Sequence, residues 1–435
     1  MKMNMNIKVK YLLPACGAIL LLSTLFSCSG GTGEEPKGRN VGNGATPTGS
    51  AFITVSGMDL LLPSGEKFFI RGTNLSNWLN PEGYLMDLGG SANSAHSIDM
   101  MLRELVGPSK TDKFWREFKD NYITRDDIEF LSERGVNTLR LPLNYRLFTD
   151  EDYMGETSGG DIYQRIDRLL TWCTAEGIYL ILDMHSAPGG QTGYNIDDSY
   201  GYPWLFLEEE DQDELVSIWK DIASHYADET HILGYELLNE PVADYWPEHT
   251  VLNAELEPLY KRITSAIREV DGNHIVILGA PQWNLNFSVF SDWKFDPLLM
   301  YTCHKYDGEP TLENIRDFVD FRDKTGLPMY MGEIGHNPDY WQEEFCKLLE
   351  EQNIGYTFWP YKKIGGECFV SVKAPSGWDS VKKFADSDRS SYFGIYSSRP
   401  DQNSSLSILD EYISNIKFAN CSVNEGYISS LRLSR

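Results

Sequence analysis

The fold is decided by a short apolar stretch, Tyr235-Glu236-Leu237-Leu238-Asn239-Glu240-Pro241. It predicts a buried strand that ends in a carboxylate, Glu240, with an amide side chain just before it. A second apolar stretch, residues 328–333, ends in the same way at Glu333. Because burying an unpaired carboxylate is costly, two acids that each close a core strand indicate a chemical role.

Short apolar runs of this kind recur along the chain and alternate with stretches of helical periodicity. The predicted strands are residues 68–74, 138–143, 178–184, 232–238, 274–278, 299–303, 329–331 and 355–358. The predicted helices are a segment that begins at Thr124, with Asp127 in a capping box, and residues 162–175, 214–227, 255–270, 312–325, 341–352 and 406–416. Eight strands alternating with helices predict the α/β class and, within it, a single (β/α)8 TIM barrel.

An open, doubly wound sheet is the alternative architecture. It would favour a glycine-rich nucleotide loop after the first strand, and Arg71-Gly72-Thr73-Asn74 is not such a loop. We therefore expect no nucleotide and no other cofactor.

The segments around the strands indicate how the barrel is elaborated. An N-terminal β-hairpin, from residues 51–55 through a turn at 63–65, is expected to cap the bottom of the barrel. Three long loops are expected at the carboxyl face, residues 76–110, 186–211 and 361–391, where barrel enzymes build their active sites. The predicted domain is residues 51–420, and residues 421–435 form a C-terminal tail.

The amino terminus is predicted to be a targeting segment. Lys8 and Lys10 precede an apolar run, residues 11–26, that is short for a membrane span. Residues 1–27 followed by Cys28 resemble a bacterial lipoprotein signal, which implies a lipid on Cys28 and a flexible tether over residues 28–50. The expected location is secreted and lipid-anchored at the outer membrane of a Gram-negative bacterium. An ordinary secretory leader, with Cys28 incidental, is the alternative.

Charge and cysteine content limit the possible partners. The formal net charge is −26, and loss of three leader lysines would leave −29. Such a surface repels phosphates, so we expect no nucleic acid but a neutral polysaccharide or oligosaccharide. Five cysteines would remain after the leader and Cys28, with no metal-binding or disulfide-framework spacing, so we expect mostly buried thiols, with a single bridge left open. The protein is expected to be a monomer.

Polar and aromatic side chains follow nearly every predicted strand. Since the carboxyl ends of barrel strands meet at one face, we expect them to line one pocket. They are Asn74, Arg140, His185, Asn239, Glu240, Trp283, His304, Tyr306, Glu333 and Trp359.

This ordered set resembles glycoside hydrolase family 5, a group of (β/α)8 retaining β-glycosidases. The resemblance runs from about residue 68 to 359 and rests on Arg140, His185, Asn239-Glu240-Pro241, His304, Tyr306, Glu333 and Trp359. Residues 71–79 and 185–191 are also similar to the exo-β-1,3-glucanase branch, whereas the long first loop departs from it. The resemblance implies a hydrolase that cleaves β-glucosidic linkages, and the leader implies that it is secreted.

Each residue type suits one role in such a reaction. Retaining cleavage needs two carboxyl groups about 5 to 5.5 Å apart, with Glu240 as acid and then base and Glu333 as nucleophile. Arg140 and Tyr306 would support the ionised nucleophile, and Asn239 would bind the sugar 2-hydroxyl. The remaining substrate-binding candidates are His185, His304, Trp359, Asn74 and Trp283.

Other interpretations remain open at this stage. Either glutamate could belong to a structural ion pair with Arg140. The same chemistry could act on a β-1,4-glucan, a mannan, a β-1,6-glucan or a glycolipid head group, and exo and endo action are equally open. A non-catalytic surface glycan-binding protein is the alternative of a different class. No catalytic metal is expected, because no His-x-His pattern accompanies His185.

Overall fold

A computed structural model describes residues 50–156 and 160–433. The predicted leader, the lipidated Cys28 and the tether up to residue 49 lie outside the described residues. The description below concerns the unit that spans Ala45–Arg435.

Eight parallel strands form a closed barrel, which confirms the predicted (β/α)8 fold. Their order around the barrel follows the chain, so each strand pairs with the next one and the last pairs with the first. The strands are β4 (Arg71–Asn74), β5 (Thr138–Asn144), β6 (Tyr179–Ser186), β7 (Ile232–Glu236), β8 (Ile275–Gly279), β9 (Leu299–His304), β10 (Met329–Ile334) and β11 (Gly355–Phe358).

Helices surround the barrel and pack on it through apolar faces. The longer ones are Ala95–Val106, Pro108–Tyr122, Arg125–Glu133, Gly160–Glu176, Glu209–Tyr226, His249–Arg268, Arg316–Thr325, Asp339–Glu351, Trp378–Ala385, Tyr392–Ser398, Gln402–Asn415 and Glu425–Ser430. Thr124 and Asp127 form the predicted capping box at the start of Arg125–Glu133. Single-turn helices lie at Gly83–Met86, Tyr145–Phe148, Asn195–Asp197, Trp204–Phe206, Phe287–Val289, Leu312–Ile315 and Phe418–Asn420.

The amino end of the barrel is closed by a three-stranded sheet rather than by the predicted hairpin. Its strands are β1 (Thr54–Ser56), β2 (Asp59–Leu61) and β3 (Lys67–Phe68). The predicted first barrel strand began at residue 68, but β3 turns back to pair with β2, and the barrel strand starts at Arg71. Ile53 and Leu60 are buried against the apolar side chains inside the barrel, so the predicted capping role is confirmed.

Residues 76–110 were predicted to form a loop, and this prediction is wrong for the second half of the segment. Helix Ala95–Val106 begins there with a Ser94–Ser97 capping box, and Pro108 starts the next helix. The first helix buries side chains at helical spacing, among them Ile98, Met101, Leu102 and Leu105. The prediction missed this helix because its short apolar pattern is surrounded by polar residues that are typical of loops.

The long segment after β11 also contains regular structure. Strands β12 (Lys362–Ile364) and β13 (Val370–Val372) pair in parallel, and helix Trp378–Ala385 follows. The Lys362 ammonium is fully buried, contacts Asp127 Oδ1 at 2.5 Å and donates to the carbonyl oxygen of Tyr122 at 2.6 Å. This compensated charge ties the segment to the helix layer.

The C-terminal residues belong to the folded domain, which corrects the predicted tail. Strand β14 (Ser422–Val423) pairs antiparallel with β13, and helix Glu425–Ser430 packs its apolar face on the protein. Tyr427, Ile428, Leu431 and Leu433 are buried in the main core. The segment is divided into a two-residue strand and a six-residue helix, so its few apolar positions are too short a series to show strand or helix periodicity.

The cysteines of the described residues are free thiols. Cys173, Cys303, Cys346 and Cys368 are buried free thiols, as predicted, and Cys421 is a free, partly buried thiol. Within the described ranges no helix combines the length and apolar character needed to cross a bilayer.

Replacing Tyr427 tests whether the C-terminal helix is part of the core. Its ring is 5% exposed and lies 6.1 Å from the ring of Phe369, measured between centroids. Tyr427→Ala should lower the free energy of unfolding by about 3–5 kcal/mol, as for other buried aromatic truncations. The exposed neighbour Ser429→Ala should change it by less than about 0.5 kcal/mol. Chemical denaturation of both variants measures this, and equal stabilities would contradict the assignment.

Candidate active site

The two carboxylates converge at the carboxyl end of the barrel. After β7, the backbone passes Asn239, whose N–H donates to Met184 O, and turns at Glu240 with φ of 43°. Glu333 lies within β10, paired with His304 of β9. One atom from each of Glu240, His304 and Glu333 lies within 4.8 Å of the others. Carboxyl oxygens this close match the short separation of retaining enzymes, about 5 to 5.5 Å, rather than the roughly 6.5–9.5 Å of inverting ones.

Glu333 accepts two strong hydrogen bonds. Arg140 Nη1 donates to its Oε1 at 2.7 Å, and the Tyr306 hydroxyl donates to its Oε2 at 2.6 Å. A guanidinium and a phenol thus hold both carboxyl oxygens of Glu333 and fix the orientation of the side chain.

Arg140 is the centre of a buried charge network. Its guanidinium binds Glu236 through Nε at 3.2 Å and Nη2 at 2.7 Å, and its Nη2 lies 3.1 Å from Asp183 Oδ2. It also donates to Asn74 Oδ1 at 2.9 Å and to Asn239 Oδ1 at 2.8 Å. These partners lie on barrel strands or, for Asn239, shortly after one. They therefore hold the guanidinium in a single orientation.

Glu240 has a different environment from Glu333. Burial raises the pKa of Glu240 to about 7. His304 Nδ1 lies 2.7 Å from Glu240 Oε1, and burial lowers the pKa of this imidazole to about 4. The histidine is therefore neutral near pH 7, and the glutamate holds a proton over much of the neutral range, as a general acid must.

His185 and Trp359 form a flat wall. Their ring planes are stacked at 5.3 Å between centroids and 3° between planes. Asp183 Oδ2 lies 2.8 Å from His185 Nδ1 and fixes the orientation of the imidazole. His185 and Trp359 line the cleft together, so the predicted pocket residues from the third and eighth barrel strands are adjacent in space.

The cleft above these groups has a volume of about 560 Å³. Glu82 and Tyr84, from the loop after β4, line it beside Glu240 and Glu333. Burial, followed by the charges of Glu333 and Glu240, raises the pKa of Glu82 well above its usual range. A third carboxyl group therefore faces the site, and burial makes its charged form less favourable than that of an exposed glutamate.

Five predicted substrate-binding residues are not among those that line the cleft: Asn74, Arg140, Asn239, Trp283 and His304. Asn74 is fully buried, donates to the carbonyl oxygens of Gly332 and Phe358, and accepts from Arg140. It positions the arginine and does not line the cleft, which corrects its predicted role. Trp283 lies beyond the cleft lining, next to Tyr194 at its edge.

Asn239 is also buried, and both the oxygen and the nitrogen of its amide contact protein groups. Its oxygen accepts from Arg140, which leaves Nδ2 as a donor, 3.5 Å from His185 Nε2. Contact of this donor with a sugar hydroxyl stays a prediction.

Sequence reasoning missed Glu82, Tyr84 and Glu236 as site residues. Glu82 precedes and Tyr84 lies in the single-turn helix Gly83–Met86, which is too short to show a periodic pattern that indicates which side chains face the barrel. Glu236 carried a usable signal, because a charged residue inside an apolar strand requires a buried partner. That partner is Arg140.

Glu240, His304 and Glu333 together also meet the spacing of a metal site. Their atoms already contact protein groups: His304 Nδ1 contacts Glu240, and Arg140 and Tyr306 donate to Glu333. These contacts account for the cluster without an ion.

A TIM barrel with two such carboxylates at its carboxyl face defines a retaining glycoside hydrolase. The family model described as Cellulase (glycosyl hydrolase family 5) matches residues 102–364, more than half of the chain. The protein thus belongs to glycoside hydrolase family 5, as its sequence pattern predicted.

Relatives that carry different enzyme names are similar to this chain. The Beta-xylosidase of Phanerodontia chrysosporium is 29% identical over 364 residues, covering 74% of this chain and 73% of the relative. The Endoglucanase C of Acetivibrio thermocellus is 28% identical over 340 residues, covering 64% and 95%. The Probable glucan endo-1,6-beta-glucosidase B of Aspergillus flavus is 25% identical over 373 residues, covering 73% and 89%.

Solved structures support the fold. The structure of AoRut has a TM-score of 0.57 at 19% identity, covering 68% of this chain and 90% of that one. An endogalactoceramidase structure has a TM-score of 0.54 at 19% identity, covering 72% and 75%. At this identity the likeness shows the barrel architecture alone.

The raised pKa of Glu240 predicts an alkaline limb in the activity profile. Only the protonated form can donate to a leaving group, so kcat/KM on an unactivated glycoside should fall as pH rises through about 7. Besides burial, the charge of Glu236 raises this pKa, so Glu236→Gln should move the limb to lower pH. Glu257→Gln removes a carboxylate that binds Lys261 elsewhere and should leave the limb in place. A limb unmoved in Glu236→Gln would contradict this electrostatic role.

Proposed function

We propose that the protein hydrolyses β-glucosidic linkages of a glucan by double displacement, with Glu333 as nucleophile and Glu240 as acid and then base. The observation that carries the proposal is the unequal environment of two adjacent carboxyl groups. Glu333 binds a guanidinium and a phenol, whereas burial raises the pKa of Glu240 to about 7. One group is prepared to attack and the other to donate a proton.

In the first step, a Glu333 oxygen bonds to the anomeric carbon as the glycosidic C–O bond breaks. The departing oxygen takes the proton of Glu240, so the leaving sugar departs as a neutral alcohol. His304 remains neutral and holds Glu240 in place through Nδ1. Tyr306 and Arg140 keep Glu333 oriented toward the cleft.

In the second step, water replaces the leaving sugar. Glu240, now ionised, takes a proton from that water while the oxygen attacks the anomeric carbon and the bond to Glu333 breaks. Glu240 regains its proton and Glu333 its charge. The anomeric configuration of the product equals that of the substrate.

The lining of the cleft favours a neutral sugar. Among the described lining residues there is no lysine or arginine, and Glu82, Glu240 and Glu333 supply carboxyl groups. A uronic acid or sulfated glycan would bring negative charge without a cationic partner. Relatives named for glucans support glucose as the sugar.

A β-xyloside is the second candidate substrate, because a relative named Beta-xylosidase matches most of this chain. Xylose lacks only the hydroxymethyl group of glucose, so the two proposals share one mechanism. We expect kcat/KM on an aryl β-glucoside to exceed that on the matching aryl β-xyloside by about tenfold or more. This is the scale expected when the pocket loses its contacts with one small substrate group, here the hydroxymethyl group. The reverse order would replace glucose by xylose in the proposal, and release of the inverted anomer, followed by proton NMR, would overturn both.

Substituting Glu240 tests the acid role separately from the nucleophile. In Glu240→Gln, kcat/KM should fall about 100-fold or more on glucan oligosaccharides, whose leaving groups need a proton. An activated dinitrophenyl glucoside should lose far less, because its leaving group departs as an anion. Glu333→Ala should lose activity on both substrates. Equal losses for Glu240→Gln on the two substrates would remove the acid assignment.

We also propose that the mature protein is a monomer, anchored through a lipid on Cys28 at the outer membrane. The support is the apolar leader that ends at Cys28 and the long polar segment before residue 50. Fatty-acid labelling that persists in Cys28→Ser would contradict the anchor, and sedimentation of the barrel domain measures the oligomeric state.

A further inference from the structure

The segments above the barrel wall the cleft on one side. Six residues between Glu82 and Asn93, in the segment after β4, line it, together with Tyr194, Asn195 and Ile196 from the segment after β6. Among the described residues that line the cleft, none comes from residues 280–298, the segment between β8 and β9. The wall therefore stands on the side of β4 and β6 and not on that of β8.

The two walling segments are joined to each other. Asn195 Nδ2 donates to the carbonyl oxygen of Asn93 at 3.0 Å, and both residues line the cleft. Beside this bridge, the backbone N–H of His96 donates to Asp198 Oδ1 at 2.8 Å. Because β4 and β6 flank β5 in the barrel, these contacts close the rim of the cleft across the end of β5.

A buried ion pair supports the bridge from below. Arg146 Nη1 donates to Asp198 Oδ2 at 2.7 Å, and both side chains are buried. Arg146 lies in the single-turn helix that directly follows β5. Asn80 Nδ2 adds a hydrogen bond to the carbonyl oxygen of Ile196 at 3.2 Å. A buried network with partners on three segments makes this part of the rim rigid.

The segment after β4 is also tied to the strands on its other side. The Trp359 indole N–H, directly after β11, donates to the hydroxyl oxygen of Tyr84. The ring centroid of Tyr84 lies 5.9 Å from that of His336, which follows β10. Contacts along the rim thus run from the end of β10, past β11, β4 and β5, to β6.

The flat wall of His185 and Trp359 stands on this closed side. These residues come from β6 and from the end of β11, the strands on either side of β4 and β5. The glycone is the sugar that carries the anomeric carbon under attack. A glycone that packs on the flat wall, with its anomeric carbon at Glu333, has its other ring positions toward the closed rim. The leaving group departs past Glu240, which follows β7.

A carboxyl oxygen without a protein partner lies at the closed side. Glu82 is 3% exposed, and its Oε1 has no hydrogen-bond partner among the described residues. The nearest imidazole nitrogen, Nε2 of His185, is 3.8 Å away and too far to donate. Leaving such an oxygen unpaired is costly, and a sugar hydroxyl would supply the donor. A terminal sugar has all of these hydroxyls free, whereas the next residue of the chain substitutes one of them in an internal sugar.

We propose that the cleft is blind on its glycone side, so that the enzyme acts only at the non-reducing end of a neutral β-glucan chain. The bridge between Asn93 and Asn195 closes the path that a longer chain would take. Each cleavage then releases a product of one fixed length, and internal linkages are not cleaved. This inference rests on the proposed function and deepens it, because it specifies which linkages of the chain are substrates.

A substrate blocked at one end tests the closed side directly. The tetrasaccharide that the enzyme cleaves, laminaritetraose or cellotetraose, is compared with two derivatives. One is reduced to the alditol at its reducing end, and the other carries a 4,6-O-benzylidene acetal on its non-reducing terminal residue. The alditol should keep kcat/KM within about threefold, whereas the acetal should lower it about 100-fold or more, because the bulky group meets the rim. A loss of less than about tenfold for the acetal would overturn the proposal, since internal cleavage does not require the terminal residue to fit.

Removing the bridge should open the closed side. Asn195→Ala should raise the ratio of kcat/KM on the blocked tetrasaccharide to that on the parent at least about fivefold. Asn273→Ala is the matched control, because Asn273 Nδ2 donates to the carbonyl oxygen of Ala227 at 3.1 Å before β8, at the amino end of the barrel. It should leave the ratio unchanged. A ratio that stays unchanged in folded Asn195→Ala would overturn the role of the bridge.

Calorimetry gives a measurement that does not depend on turnover. In a Glu333→Ala background, the parent tetrasaccharide should bind at least about tenfold more tightly than the blocked one. Equal affinities would overturn the blind glycone side. A wild-type enzyme that cleaves neither tetrasaccharide nor aryl β-glucosides would instead overturn the proposed function, and the difference in affinity would still decide whether the cleft is closed.

Discussion

The active site depends on one buried cation, the guanidinium of Arg140. It is fully enclosed at the carboxyl end of the barrel and contacts three carboxylates, Asp183, Glu236 and Glu333. An arginine so deeply buried is tolerated only because its partners are already in place, supplied by neighbouring strands of a rigid sheet. Two of the carboxylates have no access to the cleft and serve to orient the guanidinium. The third, Glu333, faces the cleft and receives the remaining N–H group.

The same barrel gives its second carboxyl group the opposite property. Glu240 lies beyond the hydrogen-bonding reach of Arg140 and contacts a histidine that burial keeps neutral. Desolvation then dominates and raises the pKa of Glu240 to about 7. A difference in local contacts over less than 5 Å thus separates the proposed nucleophile from the proposed acid. The loop after β4 adds a third carboxyl group, Glu82, whose pKa burial also raises.

Much of this arrangement follows from the order of residues along the chain. All eight barrel strands were predicted near their observed positions, because strands covered on both faces are continuous apolar runs. The convergence of Glu240 and Glu333 follows from the barrel alone, since every strand delivers its carboxyl end to the same face. Helix Ala95–Val106 and the packed C-terminal residues were missed, because their apolar positions are few and separated by loop-forming residues. Asn74 was predicted to contact substrate, whereas its amide is consumed by Arg140 and two carbonyl groups.

The sequence by itself determined the class of fold, the pair of acids and most of the residues around them, because these depend on local periodicity and on which residue ends each strand. Tertiary structure alone decided which carboxylates Arg140 binds, how far burial raises the pKa of Glu240, and that Glu82 lines the cleft beside Glu240 and Glu333. Those properties depend on distances between segments far apart in the chain and on the exclusion of water from a closed space. Neither quantity is encoded in the spacing of residues along a strand or helix.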